Sequence, residues 1–85
     1  MTDETTTAFP DLSQFAGQGL YQHHKGDYYL ALFVARHHET EEPFVTYVPY
    51  GHTESGIRVR ELSSWIEKVK WPSGMLDFRF KKVDR

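Results

Sequence analysis

The residues best suited to bind or transform a ligand are grouped where a long apolar run gives way to a polar segment. Arg36, His37, Glu39 and Thr40 follow the run that ends at Ala35. Arginine can hold an anion through two parallel hydrogen bonds, and histidine can donate, accept or shuttle a proton near neutral pH. The group is therefore a candidate binding corner, and His37 would be the acid/base residue of an enzyme. In the structural alternative, Glu39 and Thr40 only shape a turn and Arg36 pairs with a nearby glutamate.

Two further arginines are candidates for the same kind of chemistry. Arg58 and Arg60 are separated by one residue, so they share one face of a predicted strand. Ile57 and Val59 occupy the opposite face. Together with Arg36, these arginines would line an anion pocket for a phosphate or a nucleic-acid backbone. A solvated strand face without a ligand is the alternative.

Aromatic side chains would offer a second kind of binding surface. Tyr47 and Tyr50 are candidate binding residues, because small barrels stack bases or peptides on such rings. Tyr21, Tyr28 and Trp65 belong to the same set of aromatic residues. Packing in the core or at a sheet edge is the alternative for most of them.

The five histidines do not have the spacing of a metal site. His23–His24 and His37–His38 are adjacent pairs, and neighbours on a strand point to opposite faces, so each pair offers at most one ligand. Histidine zinc sites need three or four convergent ligands. We therefore expect no metal and no cofactor, and we keep His23 as a candidate binding residue beside the first predicted turn.

Arrangements typical of hydrolases are missing from the sequence. Ser55, Ser63 and Ser64 have no nucleophile-elbow context, and no glycine-rich phosphate loop precedes a helix. The adjacent carboxylates Glu41–Glu42 lie on a predicted loop, with no apolar pocket to raise the pKa of either. A non-catalytic binding module is therefore preferred to a small enzyme that uses His37.

Length and composition predict one small cytoplasmic domain. An 85-residue chain is one domain's worth, and such a domain buries only roughly 60% of its unfolded surface, so its core is thin. Without cysteine there are no disulfides, which favours a reducing compartment. No apolar run approaches the roughly 20 residues of a membrane helix, so no membrane partner is expected. The thin core leaves aromatic surface to cover, so either a monomer or a homodimer is expected.

Charge is distributed unevenly along the chain. Residues 1–56 contain two Lys/Arg against eight Asp/Glu, whereas residues 57–85 contain eight against four. A basic half can mark a nucleic-acid-binding face, so a nucleic-acid accessory protein is the alternative function. The simpler interpretation is that strands from the two halves interleave in one sheet and mix their charges.

Short β-strands dominate the predicted secondary structure. From Gly19 onward, apolar and polar residues alternate between turn-forming segments. The predicted strands cover 19–23, 28–37, 44–50, 57–61, 65–70 and 76–81. The longest, 28–37, is apolar on both faces through residues 30–35, as in a central strand. Pro49 near the end of its strand favours a sheet edge or a bulge.

Helical structure is confined to short segments. Asp11 is placed to cap a turn over residues 12–16, and a single helical turn is expected at 62–64. A helix over 62–69 is the alternative to the strand over 65–70, because its apolar residues also have helical spacing.

The predicted fold is mainly β, with five or six short strands in an antiparallel sheet that curls into a small barrel and one short helical turn. This single domain covers residues 11–83 and follows a disordered tail over residues 1–10. Strong twist would let the sheet close and remove its edges.

Several short motifs are spaced as in a known protein family. They are Gly19-x-Tyr21-x-His23-x-Lys25-Gly26, Ala35-Arg36-His37-x-Glu39-Thr40, Val45-x-Tyr47, Arg60 and Phe78-Arg79-Phe80. The set resembles domain of unknown function 1653, a family of short bacterial and phage proteins. The resemblance implies a fold similar to the SH3-like small barrels, and it implies no activity. The family usually has an aromatic residue where this chain has His24, a tryptophan near Arg58 and a proline at Glu61.

We therefore expect a binding module that presents an Arg/His/Tyr surface to a small anionic or aromatic ligand or to a peptide.

Overall fold

Seven strands and one short α-helix form the regular structure of residues 9–83, the part of the chain that this computed structural model describes. The strands are β1 Gly19–His23, β2 Tyr28–Arg36, β3 Pro43–Pro49, β4 Arg58–Glu61, β5 Lys68–Lys70, β6 Leu76–Phe78 and β7 Phe80–Lys82. The helix α1 covers Leu62–Trp65, and single 3-10 turns cover Leu12–Gln14 and Thr53–Ser55. The tail predicted over residues 1–10 lies, for residues 1–8, outside the described part.

Five of the strands form one antiparallel sheet in the order β4-β3-β2-β1-β7, and β5 and β6 form a separate two-stranded ribbon. The prediction of a mainly β, antiparallel fold is confirmed. The sheet does not close into a complete barrel, because β4 and β7 do not pair with each other within residues 9–83. These edge strands have only four and three residues, so they present a short backbone ladder to other chains.

A bulge in β2 decides which of its residues face the core. Ala31 pairs with Tyr47 but Phe33 pairs with Thr46, so one extra residue, Leu32, is inserted. The bulge shifts the alternation of the strand, and Phe33 turns outward with 59% of its surface exposed. The buried hydroxyl of Thr46 fixes this geometry. It accepts the Phe33 N–H at 3.2 Å and donates to the Phe33 carbonyl at 2.8 Å.

Pro49 ends β3, for which the sequence favoured a sheet edge or a bulge. β3 is an interior strand, and the bulge of its pair with β2 lies at Ala31–Phe33, away from Pro49. Tyr50 donates its N–H to the Tyr28 carbonyl of β2 at 3.0 Å. Successive backbone nitrogens of a strand point to opposite sides, so the nitrogen of Pro49 points away from β2. On that side, β4 pairs only with the segment Phe44–Tyr47. Pro49 therefore removes no hydrogen bond from the sheet, because β3 extends past one of its two partners.

Aromatic rings from the sheet and from α1 form the core. Trp65 stacks on Phe80 with the ring centroids 3.8 Å apart and the planes at 2°. Tyr21 and Tyr47 each place their rings 5.2 Å from that of Trp65, and Leu62 is fully buried beside them. A helix of only four residues thus supplies two core side chains.

The strand predicted over 65–70 begins later than expected. Trp65 belongs to α1, and β5 starts only at Lys68. The alternative helix over 62–69 does not form either, because Val69 is a strand residue of the β5-β6 ribbon. The single helical turn that was expected is present, one residue longer than predicted.

The strand predicted over 76–81 is divided at Arg79, which raises the number of strands to seven. The Arg79 N–H donates to the Glu67 carbonyl at 2.7 Å, and the Arg79 carbonyl accepts the His24 N–H at 3.0 Å. Its guanidinium donates to the Ser64 carbonyl at 3.1 Å and to the Glu67 carboxylate at 2.8 Å. These bonds hold the point where the chain leaves the ribbon and enters the large sheet as β7.

Candidate functional site

The predicted corner at the end of β2 is occupied by contacts within its own loop. His37 accepts the backbone N–H groups of Glu39 and Thr40 at its Nδ1, at 3.1 and 3.3 Å. Arg36 donates from Nη1 to the Glu41 carbonyl at 3.0 Å, and Glu41 takes a left-handed conformation with φ of 67°. These contacts shape the loop, as in the structural alternative. The partner of Arg36 is the backbone carbonyl of Glu41, whereas that alternative expected a glutamate carboxylate.

The arginines of β4 lie on the side of the sheet that carries the core. Arg58 pairs with Tyr47 and Arg60 with Val45, and opposed residues of an antiparallel pair point to the same face. Tyr47 and Val45 are core residues, so we call this side of the sheet the inner face. Val59 faces the other way and is 59% exposed, which reverses the usual apolar-in arrangement.

Arg60 lies over the aromatic core. Its Cζ is 5.3 Å from the centroid of Phe80, the ring on which Trp65 stacks. Nη1 donates to the Ser64 hydroxyl at 3.0 Å. The Nε of Arg60 is buried and has no hydrogen-bond partner in the described part of the chain.

His23, on β1, is held in its neutral form beside this arginine. Its ring is 4.8 Å from that of Phe80, and its Nδ1 accepts the Lys25 N–H at 3.1 Å. Burial lowers the pKa of His23 to about 4, and neighbouring cations that include Arg60 and Arg79 add to the effect. At neutral pH the ring is therefore uncharged, and its single proton lies on Nε2 as a hydrogen-bond donor.

Two tyrosines complete the group. The rings of Tyr29 and Tyr47 are 5.5 Å apart, and they lie 5.7 and 6.1 Å from Phe80. Burial, followed by the charge of Asp27, raises the pKa of Tyr29, so its hydroxyl stays protonated. His23, Tyr29, Tyr47 and Arg60 lie around Phe80, and Arg58 is on the same face beside Tyr47. We call these five residues the inner-face cluster.

The inner-face cluster contains part of the predicted set of binding residues and one residue that the sequence analysis missed. The predicted members are His23, Tyr47, Arg58 and Arg60. The missed member is Tyr29, and the doublet Tyr28–Tyr29 was the available signal, because adjacent strand residues point to opposite faces. Which ring points inward follows only from the register, in which Tyr29 pairs with Tyr21 of the core.

The other predicted residues do not join the cluster. Arg36 pairs with Pro43, whereas Tyr29 pairs with Pro49 at the opposite end of the β2-β3 pair. The nine residues of β2 span about 26 Å. The loop that holds Arg36, His37, Glu39 and Thr40 therefore lies too far from Tyr50 for one small ligand to contact both.

A cleft of about 290 Å³ adjoins the inner-face cluster at Tyr29. Its lining residues are Asp27, Tyr28, Tyr29, Pro49, Tyr50 and His52. Tyr28 and Tyr50 are 42% and 56% exposed. Of the aromatic residues considered for stacking, these two are accessible, whereas Tyr21, Tyr47 and Trp65 are buried.

Charges of the two halves of the chain are mixed in the sheet. β4 and β7 come from the basic half and flank three strands from the acidic half. Two basic residues are paired within their own half, Arg79 with Glu67 at 2.8 Å and Lys81 with Asp77 at 3.3 Å. Residues 9–83 contain no cluster of three or more His, Asp or Glu that could hold a metal ion. None of the helices among them is long and apolar enough to cross a membrane.

Comparisons with known proteins point to one family. The family model described as "Protein of unknown function (DUF1653)" matches residues 19–82. A crystal structure of a protein belonging to DUF1653 from Bordetella bronchiseptica is 39% identical to this chain, with a TM-score of 0.69. The match covers 82% of this chain and 90% of that one. The comparison with curated proteins found no match.

Proposed function

This chain belongs to the DUF1653 family of proteins of unknown function, and we propose that it is a non-catalytic binding module whose inner-face cluster holds the anionic group of a ligand. The observation that carries the proposal is the position of Arg60. Its Nη1 donates to Ser64, but its Nε–H is buried and has no partner among residues 9–83. This N–H has lost water without gaining an acceptor, which costs free energy. An anion bound at this position would supply the missing acceptor.

The neighbouring groups are all donors. The Arg58 guanidinium is on the same face, His23 offers its Nε2–H, and the hydroxyls of Tyr29 and Tyr47 can donate. Carboxylate and phosphate groups, which only accept hydrogen bonds, match such a set. The half-buried rings of His23 and Tyr29 would contact an aromatic or apolar part of the same ligand.

The same geometry supports binding over catalysis. With its pKa lowered to about 4, His23 is a weak base at neutral pH, and its Nδ1 is engaged by the Lys25 N–H. His37 uses its Nδ1 to hold a loop. General acid/base catalysis works best when the pKa lies near the working pH, and His23 is far from that condition.

Phenyl phosphate, with phenol as its uncharged counterpart, tests the proposal by nuclear magnetic resonance titration of the ¹⁵N-labelled protein. We expect phenyl phosphate to shift the amide signals of the inner-face cluster and phenol to shift them far less. Arg60→Gln should weaken phenyl phosphate binding by about tenfold or more, because hydrogen bonds to charged groups contribute roughly 1.5–3 kcal/mol.

Arg36→Gln is the matched control, because Arg36 lies in the loop at the other end of β2 and should not contribute. Arg58→Gln is a second test, because Arg58 is exposed and its loss should spare the fold while weakening binding severalfold. Equal binding by the wild type, Arg58→Gln and Arg60→Gln would contradict the proposal. Weakening by Arg36→Gln alone would move the site to the loop.

Nucleic acid is the competing partner, and salt separates it from a small anion. Affinity for a single-stranded oligonucleotide should fall steeply between low and physiological salt if several phosphates are neutralised. The proposal expects weak oligonucleotide binding and a shallow salt dependence for phenyl phosphate. A steep dependence with tight oligonucleotide binding would favour the nucleic-acid function.

A further inference from the structure

We infer that the cleft beside the inner-face cluster is a second binding site, and that it takes an organic ammonium cation. The cleft lies where β2 begins and β3 ends, and it is lined by three tyrosines, a proline, an aspartate and a histidine. Its volume of about 290 Å³ is near the lower limit of small-molecule sites. It therefore fits a headgroup or one side chain better than a whole large ligand.

The charge of the cleft selects a cation. The Asp27 carboxylate makes no ion pair and accepts no side-chain hydrogen bond within residues 9–83, although it lines the cleft. The negative charge of Asp27 acts on the other lining residues, since it helps to raise the pKa of Tyr29. A carboxylate oxygen of Glu54 lies 3.8 Å from the Nδ1 of the lining residue His52 and adds a second negative charge near the cleft.

The rings of the cleft select an organic cation over a bare metal ion. A positively charged group over the face of a tyrosine is attracted by the ring quadrupole, and Tyr28 and Tyr50 are both exposed. A metal ion such as Ca²⁺ needs six to eight oxygen ligands, whereas the cleft has one carboxylate and three phenol groups. An alkylated ammonium is weakly hydrated in water. It would be attracted both by the Asp27 carboxylate and by the tyrosine rings.

The site is separate from the anion site in charge and in residues. Tyr29 is the one residue that belongs both to the inner-face cluster and to the lining of the cleft. The charge of Asp27 raises its pKa, and the charges of Arg58 and Arg60 lower it. Loss of Arg60 should therefore leave ammonium binding intact, and loss of Asp27 should leave phenyl phosphate binding intact. Failure of one proposal can be distinguished from failure of the other.

Choline and its neutral isostere 3,3-dimethylbutan-1-ol test the inference, because they differ in the quaternary nitrogen. In ¹⁵N-labelled full-length protein we expect choline to shift the amide signals of residues 27–29 and 50–52. The isostere should produce much smaller shifts. The titration extends to about 100 mM, a concentration that fills even a site of millimolar affinity. No shift by choline, equal shifts by both compounds, or shifts confined to the inner-face cluster would overturn the inference.

Substitutions separate the carboxylate from the ring. Asp27→Asn should weaken choline binding at least fivefold, whereas Glu61→Gln, which removes an exposed carboxylate on β4, should not change it. Tyr50→Phe should bind within twofold of the wild type and Tyr50→Leu should bind at least threefold more weakly. An unchanged affinity in both Asp27→Asn and Tyr50→Leu would show that choline binds elsewhere.

A peptide arm distinguishes the source of the cation. Acetylated trimethyllysine amide is compared with the unmethylated lysine compound and with choline. Tenfold tighter binding of trimethyllysine than of choline would assign the cleft to a side chain of a partner. Comparable affinities would assign it to a free headgroup, and binding of neither would refute the site.

Discussion

Protonation of His23 should destabilise the fold, and the change can be followed by lowering the pH from 7 to 5. Burial and then nearby cations lower the pKa of His23 from 6.5 to about 4. Between these values the unfolded chain binds a proton that the folded chain does not bind. The stabilisation from a neutral His23 is therefore complete above about pH 6.5 and is lost progressively as the pH falls toward 4.

The magnitude follows from the size of the pKa difference. At 1.36 kcal/mol per unit, the full change would be about 3 kcal/mol. His23 is only half-buried, so solvent screening reduces this figure. In addition, only part of the change between pH 6.5 and pH 4 has occurred at pH 5. We expect His23 alone to remove about 1 kcal/mol from the free energy of unfolding between pH 7 and pH 5.

Urea unfolding at pH 7, 6 and 5, followed by tryptophan fluorescence, measures this loss. In His23→Gln, the decline in stability over this range should be about 1 kcal/mol smaller than in the wild type. His38→Gln removes an exposed histidine of the β2-β3 loop and should parallel the wild type. His24, whose charge also lowers the pKa of His23, is present in all three proteins. Parallel pH curves for the wild type and His23→Gln would refute the neutral state assigned to His23.

Two further predictions concern packing and use the same unfolding assay. Thr46→Val should cost about 2 kcal/mol, because it leaves the N–H and carbonyl of Phe33 without their buried partner, and Thr46→Ser should recover at least half of that loss. Val59→Lys should change the free energy of unfolding by no more than about 0.5 kcal/mol, since Val59 faces outward. Val45→Ala, at a fully buried position, should lower it by about 2 kcal/mol. Equal costs for the Val59 and Val45 substitutions would contradict the face assignment of β3 and β4.

The elements predicted best from the sequence are those whose limits are set by local chemistry. β1 covers the residues expected for it, because Gly19 precedes an alternating run and Gly26, with φ of 106°, forms the following turn. The division of the last strand at Arg79 was not predictable in this way. It depends on bonds to Glu67 and His24, which are distant in sequence, and the alternating pattern continues through the break.

The candidate site was predicted only in part for a similar reason. Alternation shows that Arg58 and Arg60 share a face, but it does not show which face is covered. The pairing of Arg60 with Val45 decides that the arginines turn inward. Apolar Val59 is left in solvent, against the usual preference. The dense group around His37 was conspicuous in the sequence because a tight loop needs several polar side chains close together.

The partial cover of the inner face explains why polar residues gather there. α1 has four residues and extends about 6 Å along its axis, whereas five paired strands are about 19 Å across. One helical turn therefore covers only part of the inner face. The rest needs side chains with an apolar body and a hydrogen-bonding end, a description that fits His23, Tyr29 and Arg60. These residues shield Phe80 from water, and the buried Nε–H of Arg60 stays without a partner in the described part of the chain, so the proposed anion would gain a hydrogen bond that the fold leaves unmade.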